Sequence, residues 1–284
     1  MPQPFYTPQL PLLVGFTPDN LPGMNTHVKK TLAWGVHFYT GLGLVAIAGI
    51  TVALVDGQPA GMRWAFLLMF IATLVDATDG TLARAIKVKE VLPGFDGRRL
   101  DDLIDFQTYT TLPLFLIWRA NLLDDAMQPW LLVPLFASAY GFCQVAAKTD
   151  DGYFLGFPSY WNIVAFYLYV LQMPAWLALG IILFLSLLTF LPALYLYPTH
   201  HGWLNRLTNY LGAPWGVLLV WIVWRLPSER IDGQNADDTT RLLALVSLAF
   251  PIYYLVVSWY VTVKIHRRKR RRQREKELGL HVPA

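Results

Sequence analysis

The chain has 284 residues, of which 55% are hydrophobic and only 15% charged, with a mean hydropathy of +0.39 and a formal net charge of +4. That is too apolar for an ordinary soluble domain of this length, and it reads as a polytopic all-α helix bundle in a membrane. The single cysteine, Cys143, excludes an intrachain disulfide and a cysteine metal cluster.

Taken in chain order, residues 1–33 form an irregular or interfacial arm. Prolines break the segment MPQPFYTPQLPLLVGFTPDNLPG, and it has neither the apolar run nor the charge of a signal peptide. A window of about 20 residues matches the hydrocarbon thickness of a bilayer. Apolar runs of roughly that size lie at 34–55, 62–82, 102–121, 130–148, 159–173, 174–197, 207–226 and 241–264. They predict about eight transmembrane helices within a domain of residues 34–265, with Gly and Pro tolerated where neighbouring helices satisfy the backbone. Only Met173 and Pro174 separate the fifth run from the sixth, and an uninterrupted helix there would give seven spans and place the termini on opposite sides.

The positive charges favour eight. With both termini on one side, that side carries eighteen of the 23 Lys and Arg residues. They are Lys29 and Lys30; Arg84, Lys87, Lys89, Arg98 and Arg99; Lys148; Arg206; and nine in the tail from Lys264 to Lys276. Arg63, Arg119, Arg225, Arg230 and Arg241 fall on the other side. The positive-inside rule therefore puts both termini in the cytoplasm. The basic tail, residues 266–284, reads as a solvated helix extension that touches anionic lipid, and its attachment to a membrane span argues against nucleic acid as a partner.

The acids between the second and third runs carry the chemistry. Asp76 and Asp79 are three residues apart and Asp101 and Asp105 four apart, so each pair shares a helix face. Side by side, the two helices would bring four carboxylates together, which demands positive partners. Arg98 and Arg99 are near but sit on the connecting loop. Hard divalent cations, Mg2+ or Mn2+, match better, and two such ions about 3.5–4 Å apart clamp an in-line displacement at phosphorus. Gly80, Ala83 and Gly97 leave room for a flat base or a phosphate, and Arg84 offers a planar, permanently charged donor for pyrophosphate. Together they point to a nucleotide diphosphate site.

The ordered pattern Asp76-x2-Asp79-Gly80-x2-Ala83-Arg84, then Gly97-x3-Asp101-x3-Asp105, resembles the signature of the CDP-alcohol phosphotransferase family. Twelve residues separate Arg84 from Gly97, more than in most members, and this longer spacing resembles the bacterial phosphatidylcholine synthase branch. So does KTDDGYFLGFPSYWN, Lys148 to Asn162. The segment HFYTGLG resembles a family stretch that usually has Asn in place of His37, with Thr40 one turn later. The resemblance implies transfer of a phosphatidyl group from CDP-diacylglycerol to choline, giving phosphatidylcholine and CMP, in the bacterial inner membrane with the active site facing the cytoplasm. It implies that Asp76, Asp79 and Asp101 hold two divalent ions, with Asp105 beside them as general base, that Gly80, Ala83, Arg84 and Gly97 line the nucleotide site, and that the enzyme is a homodimer among membrane lipids.

Choline has no N–H to donate, so its recognition calls for aromatic faces aided by a carboxylate. Asp150, Asp151, Tyr153, Phe154, Tyr160 and Trp161, in the loop after the fourth run, fit that need, although aromatic residues also gather at membrane interfaces for their own reasons. A phosphorylated acceptor, inositol phosphate or glycerol phosphate, would want a basic pocket; serine is a further alternative. From another class, a divalent-cation transporter would place acids near the midplane, and a lipid-binding scaffold would depend on the basic tail. Asp102 either supports the metal site or pairs with Arg98 or Arg99. His200 and His201 read as surface residues, and Asp124 and Asp125 as solvated.

Overall fold

A computed structural model describes residues 25–144, 153–196, 203–230 and 233–277. Helix α1 (Thr26–Asp56) begins where the Asn25 side chain accepts the His27 N–H at 3.0 Å, capping one of the donors that a helix start leaves unpaired. It therefore takes in the last residues of the arm read from the sequence. Helix α2 (Pro59–Ile86) opens on proline, whose missing N–H costs nothing in a first turn. Gly57 and Gln58 turn the chain so that α2 packs back along α1. The backbones meet closely at Gly61, where a Cβ would lie 2.2 Å from the Ala53 carbonyl oxygen.

A short helix, α3 (Val88–Val91), leads to α4 (Gly97–Asp105), capped by Asp96, whose side chain accepts the Arg99 N–H at 3.3 Å. Helix α4 passes into a π-helical turn, Phe106–Thr111, and then α5 (Leu112–Arg119). A 3-10 turn, Gln128–Leu131, opens α6 (Leu132–Cys143). Strand β1 (Tyr153–Leu155), α7 (Trp161–Leu171), α8 (Ala175–Phe190), β2 (Leu194–Leu196), α9 (Trp203–Arg225), α10 (Asp238–Ser247) and α11 (Ala249–Glu277) follow.

The architecture is all-α with one small addition: β1 and β2 pair antiparallel, Tyr153 opposite Leu196 and Leu155 opposite Leu194. This pairing shortens the sixth predicted run, whose helix stops at Phe190, just ahead of Pro192, and whose end becomes strand. Helix α11 covers the exposed edge of β2, with the Leu194 N–H donating to Thr262 Oγ1 at 2.7 Å and Tyr254 Oη donating to the Leu196 carbonyl at 3.0 Å. The fifth and sixth runs form separate helices, divided at Gln172, which adopts the left-handed conformation with φ 46°.

Among the described residues, four helical segments are long and apolar enough to cross a membrane: Thr26–Asp56, Pro59–Ile86, Trp203–Arg225 and the continuous pair Asp238–Arg268. The dry core lies where α2, α5, α7, α8 and α9 meet, around Phe66, Leu116, Trp161, Phe166, Ile182 and Ile222. Large apolar side chains also cover the outside: Phe38 is 74% exposed, Val52 72% and Val217 71%. An apolar outer surface of this extent suits lipid and would aggregate in water.

Candidate active site

One stripe of α1 positions the site. Ala33, Val36, His37, Thr40 and Gly43 recur at helical spacing and are buried against α2 and α4. On the α2 side, Thr40 Oγ1 donates to Asp79 Oδ2 at 2.8 Å. On the α4 side the contacts are steric: a Cβ at Gly43 would sit 2.4 Å from Ile104 Cγ2, and a Cβ at Gly97 would sit 2.4 Å from His37 Cε1. The His37 ring rests on Phe95 with centroids 4.4 Å apart and near Trp34 at 5.7 Å. These contacts hold α4 in the register that turns its two acids toward α2.

The result is a cluster of three half-buried carboxylates. Asp76 from α2 and Asp101 and Asp105 from α4 each bring an oxygen within 4.8 Å of the other two. Asp79, the fourth acid of the pattern, is 5% exposed, bonded to Thr40, and in side-chain hydrogen-bonding reach of Asp101. Like charges so close repel by about 4 kcal/mol per pair at 4 Å and an effective dielectric constant of about 20, so the cluster calls for positive charge. Hard oxygen donors converging from two rigid helices suit a divalent cation such as Mg2+ or Mn2+.

The other predicted residues fall into two groups. Arg84 is exposed one turn beyond Gly80, its Nη2 donating to Thr81 Oγ1 at 3.1 Å and its Nη1 3.3 Å from where a Cβ at Gly80 would lie. Asp102 pairs with Arg98 at 3.9 Å, which resolves its two readings in favour of an exposed ion pair. Ala83 instead packs with Ala33, Val36 and Val88, and the gap over Gly97 is filled by the His37 ring.

Of the predicted choline residues, Asp150 and Asp151 lie outside the described residues, as do Lys148, His200 and His201. Tyr153 is half-buried on β1, and Tyr160 is half-buried at the start of α7. Trp161 departs from the expectation: it is fully buried, and its indole N–H donates to Ser138 Oγ at 2.7 Å. An indole so enclosed presents no open face, because α7 turns it into the core.

Sequence reasoning passed over Tyr109. Its hydroxyl donates to Asp76 Oδ2 at 2.7 Å, from the π turn that follows Asp105. A π turn carries one residue more than an α-helical turn and is frequent at functional sites. The signal present in the sequence was the polar FQTYTT directly after the last acid.

Fold and site together define an integral membrane protein with an acid cluster at one end of its helices. No family model matches the chain. It is 38% identical over 236 residues to a phosphatidylcholine synthase of Pseudomonas aeruginosa, covering 82% of this chain and 94% of that protein. It is 32% identical to one from Legionella pneumophila, over 81% of this chain and 88% of the relative, and 27% identical to one from Borreliella burgdorferi, over 85% and 99%. The chain belongs to the phosphatidylcholine synthase family, membrane enzymes of phospholipid biosynthesis.

Proposed function

We propose that the chain transfers the phosphatidyl group of CDP-diacylglycerol to choline, with release of CMP, at the cluster of Asp76, Asp101 and Asp105. The observation that carries this reading is the convergence of those carboxylates within 4.8 Å, from two helices that α1 locks together. An eight-span arrangement with both termini in the cytoplasm, supported by the distribution of Lys and Arg, turns this end of the bundle toward the cytoplasm, where CMP and choline are soluble. In a bacterium the membrane is the inner one.

Divalent ions held by Asp76, Asp79 and Asp101, with Asp105 adjoining, would supply the positive charge that the pyrophosphate oxygens need as the bond to CMP breaks. The remaining chemistry belongs to the chain. Asp105 accepts the proton of the choline hydroxyl while that oxygen forms its bond to the lipid-side phosphorus. The CMP oxygen on the far side leaves with the bonding pair. Arg84 binds phosphate oxygens from the exposed side of α2. Thr40 fixes the rotamer of Asp79 and Tyr109 that of Asp76, so the acids do not reorganise during the reaction. The diacylglycerol chains stay in the bilayer against the apolar outer faces of the helices.

The test is CMP release by purified protein in detergent with CDP-diacylglycerol and Mg2+ or Mn2+, comparing choline with serine, inositol phosphate and glycerol phosphate. Choline-dependent release is expected, falling by about 100-fold or more in Asp105→Asn. Release with a different acceptor would replace choline, and no metal-dependent release with any of them would overturn the transferase reading.

A further inference from the structure

Three aromatic side chains form a row that starts at the acid cluster. Tyr109, bonded to Asp76, meets Tyr160 with ring centroids 6.4 Å apart and planes tilted by 56°. Tyr160 in turn meets Tyr254 at 6.2 Å and 58°. The rings come from segments far apart in sequence: the π turn, the residue that precedes α7, and α11. Neither pair is stacked, so the faces are not used up on each other. All three are half-buried, whereas the rings that back them are enclosed: Phe157 against Tyr160 at 6.4 Å and Tyr195 against Tyr254 at 6.2 Å. Hydrogen bonds hold the row in place: Tyr109 on Asp76, Tyr254 on the Leu196 carbonyl at 3.0 Å, and Tyr160 with Tyr254.

We infer that Tyr109, Tyr160 and Tyr254 seat the quaternary ammonium of the acceptor. This rests on the choline reading above and assigns the residues that would give it specificity. A trimethylammonium group is held by ring faces within about 6 Å of their centroids. Its hydroxyl is only two carbons away, so an acceptor whose oxygen reaches Asp105 places its cation beside the tyrosine already tied to the cluster. Donation to a carboxylate enriches the Tyr109 ring in electrons, and the carboxylate adds negative potential. A phosphorylated acceptor meets the same field as repulsion. Tyr109 and Tyr254 are thereby added to Tyr160 of the predicted set, while Trp161 faces the core.

The experiment uses the full chain in detergent and initial rates of CMP release, varying choline and CDP-diacylglycerol separately, with 3,3-dimethylbutanol, the uncharged isostere of choline, as a competitor whose inhibition is read from incorporation of labelled choline into lipid. Tyr254→Leu and Tyr160→Leu should each raise the KM for choline about tenfold and leave that for CDP-diacylglycerol unchanged, while the Phe variants stay within about threefold of wild type. Inhibition by 3,3-dimethylbutanol should survive in the Leu variants, because it needs no cation–π attraction. Leu variants whose choline KM stays within about twofold, or a KM that rises equally for both substrates, would overturn the assignment. If a Leu variant loses its helical circular dichroism, progressively fluorinated phenylalanine at position 254 takes its place. The choline KM should then climb with each fluorine, and a flat series overturns the proposal. Wild-type protein that releases no CMP with choline removes the acceptor reading itself, a failure distinct from that of the tyrosines.

Discussion

At the end of the bundle where α1 turns into α2, Arg119 donates to the carbonyls of Val55 and Asp56 at 3.3 and 3.5 Å, and Arg63 to that of Leu226 at 3.2 Å. Close by, Arg225 bonds Asp237 and Thr240, each at 3.2 Å, and the Thr240 backbone N–H holds the Asp237 carboxyl below its usual range. Those charges close helix ends, where carbonyls lack partners and the helix dipole welcomes cations. At the opposite end three carboxylates crowd within 4.8 Å of one another. The first arrangement lowers the energy of the fold, while the second raises it. A protein keeps a self-repelling cluster on rigid helices for chemistry, and the contrast separates polar groups that build the structure from those that use it.

The comparison breaks most sharply at the acids. Asp101→Asn should cut CMP release by about 100-fold or more, yet leave the thermal unfolding midpoint in detergent unchanged or higher, because it relieves repulsion. A parallel fall in both would make Asp101 a structural residue. An intermediate effect is expected at Gly97→Ala, whose new Cβ would meet the His37 ring at 2.4 Å. Overpacking there should destabilise by about 1–3 kcal/mol and lower the rate by shifting α4. Pairing it with His37→Ala should restore much of the loss, a coupling that unfolding and rate measurements on both single variants and the double would reveal. The smallest change belongs to the arginine end: Arg119→Ala should lower stability by about 1 kcal/mol and leave activity per folded molecule as in wild type.

Much of this was legible in the sequence because it is local. The spacings of Asp76 with Asp79 and Asp101 with Asp105 follow from helix period, and the apolar runs mark helices by length. Asn25, Asp96 and Asp237 are cap residues where caps were needed. Contacts between helices were not legible. Spacing put all four acids in one set, whereas Thr40, contributed by another helix, bonds Asp79, and Asp76 shares a hydrogen bond with Tyr109. An aromatic residue reads the same in sequence whether it lies at the acid cluster, as Tyr109 does, or in the core, as Trp161 does. The strand pairing of Leu194–Leu196 was hidden within an apolar run, since side-chain hydropathy does not distinguish a buried strand from the end of a helix.

The π turn at Phe106–Thr111 differs from an ordinary helix by a single inserted residue. Such an insertion bulges locally and leaves the helix on either side in phase. Deleting one residue from it would return that turn to α-helical spacing and leave only the kink that Pro113 imposes at the start of α5, with Asp101 and Asp105 still facing α2 and Leu116 and Ile117 still in the core. Only the aim of Tyr109 would change. The segment is a graft of one amino acid, by which a tyrosine can be swung onto or off a carboxylate without disturbing the scaffold that carries both.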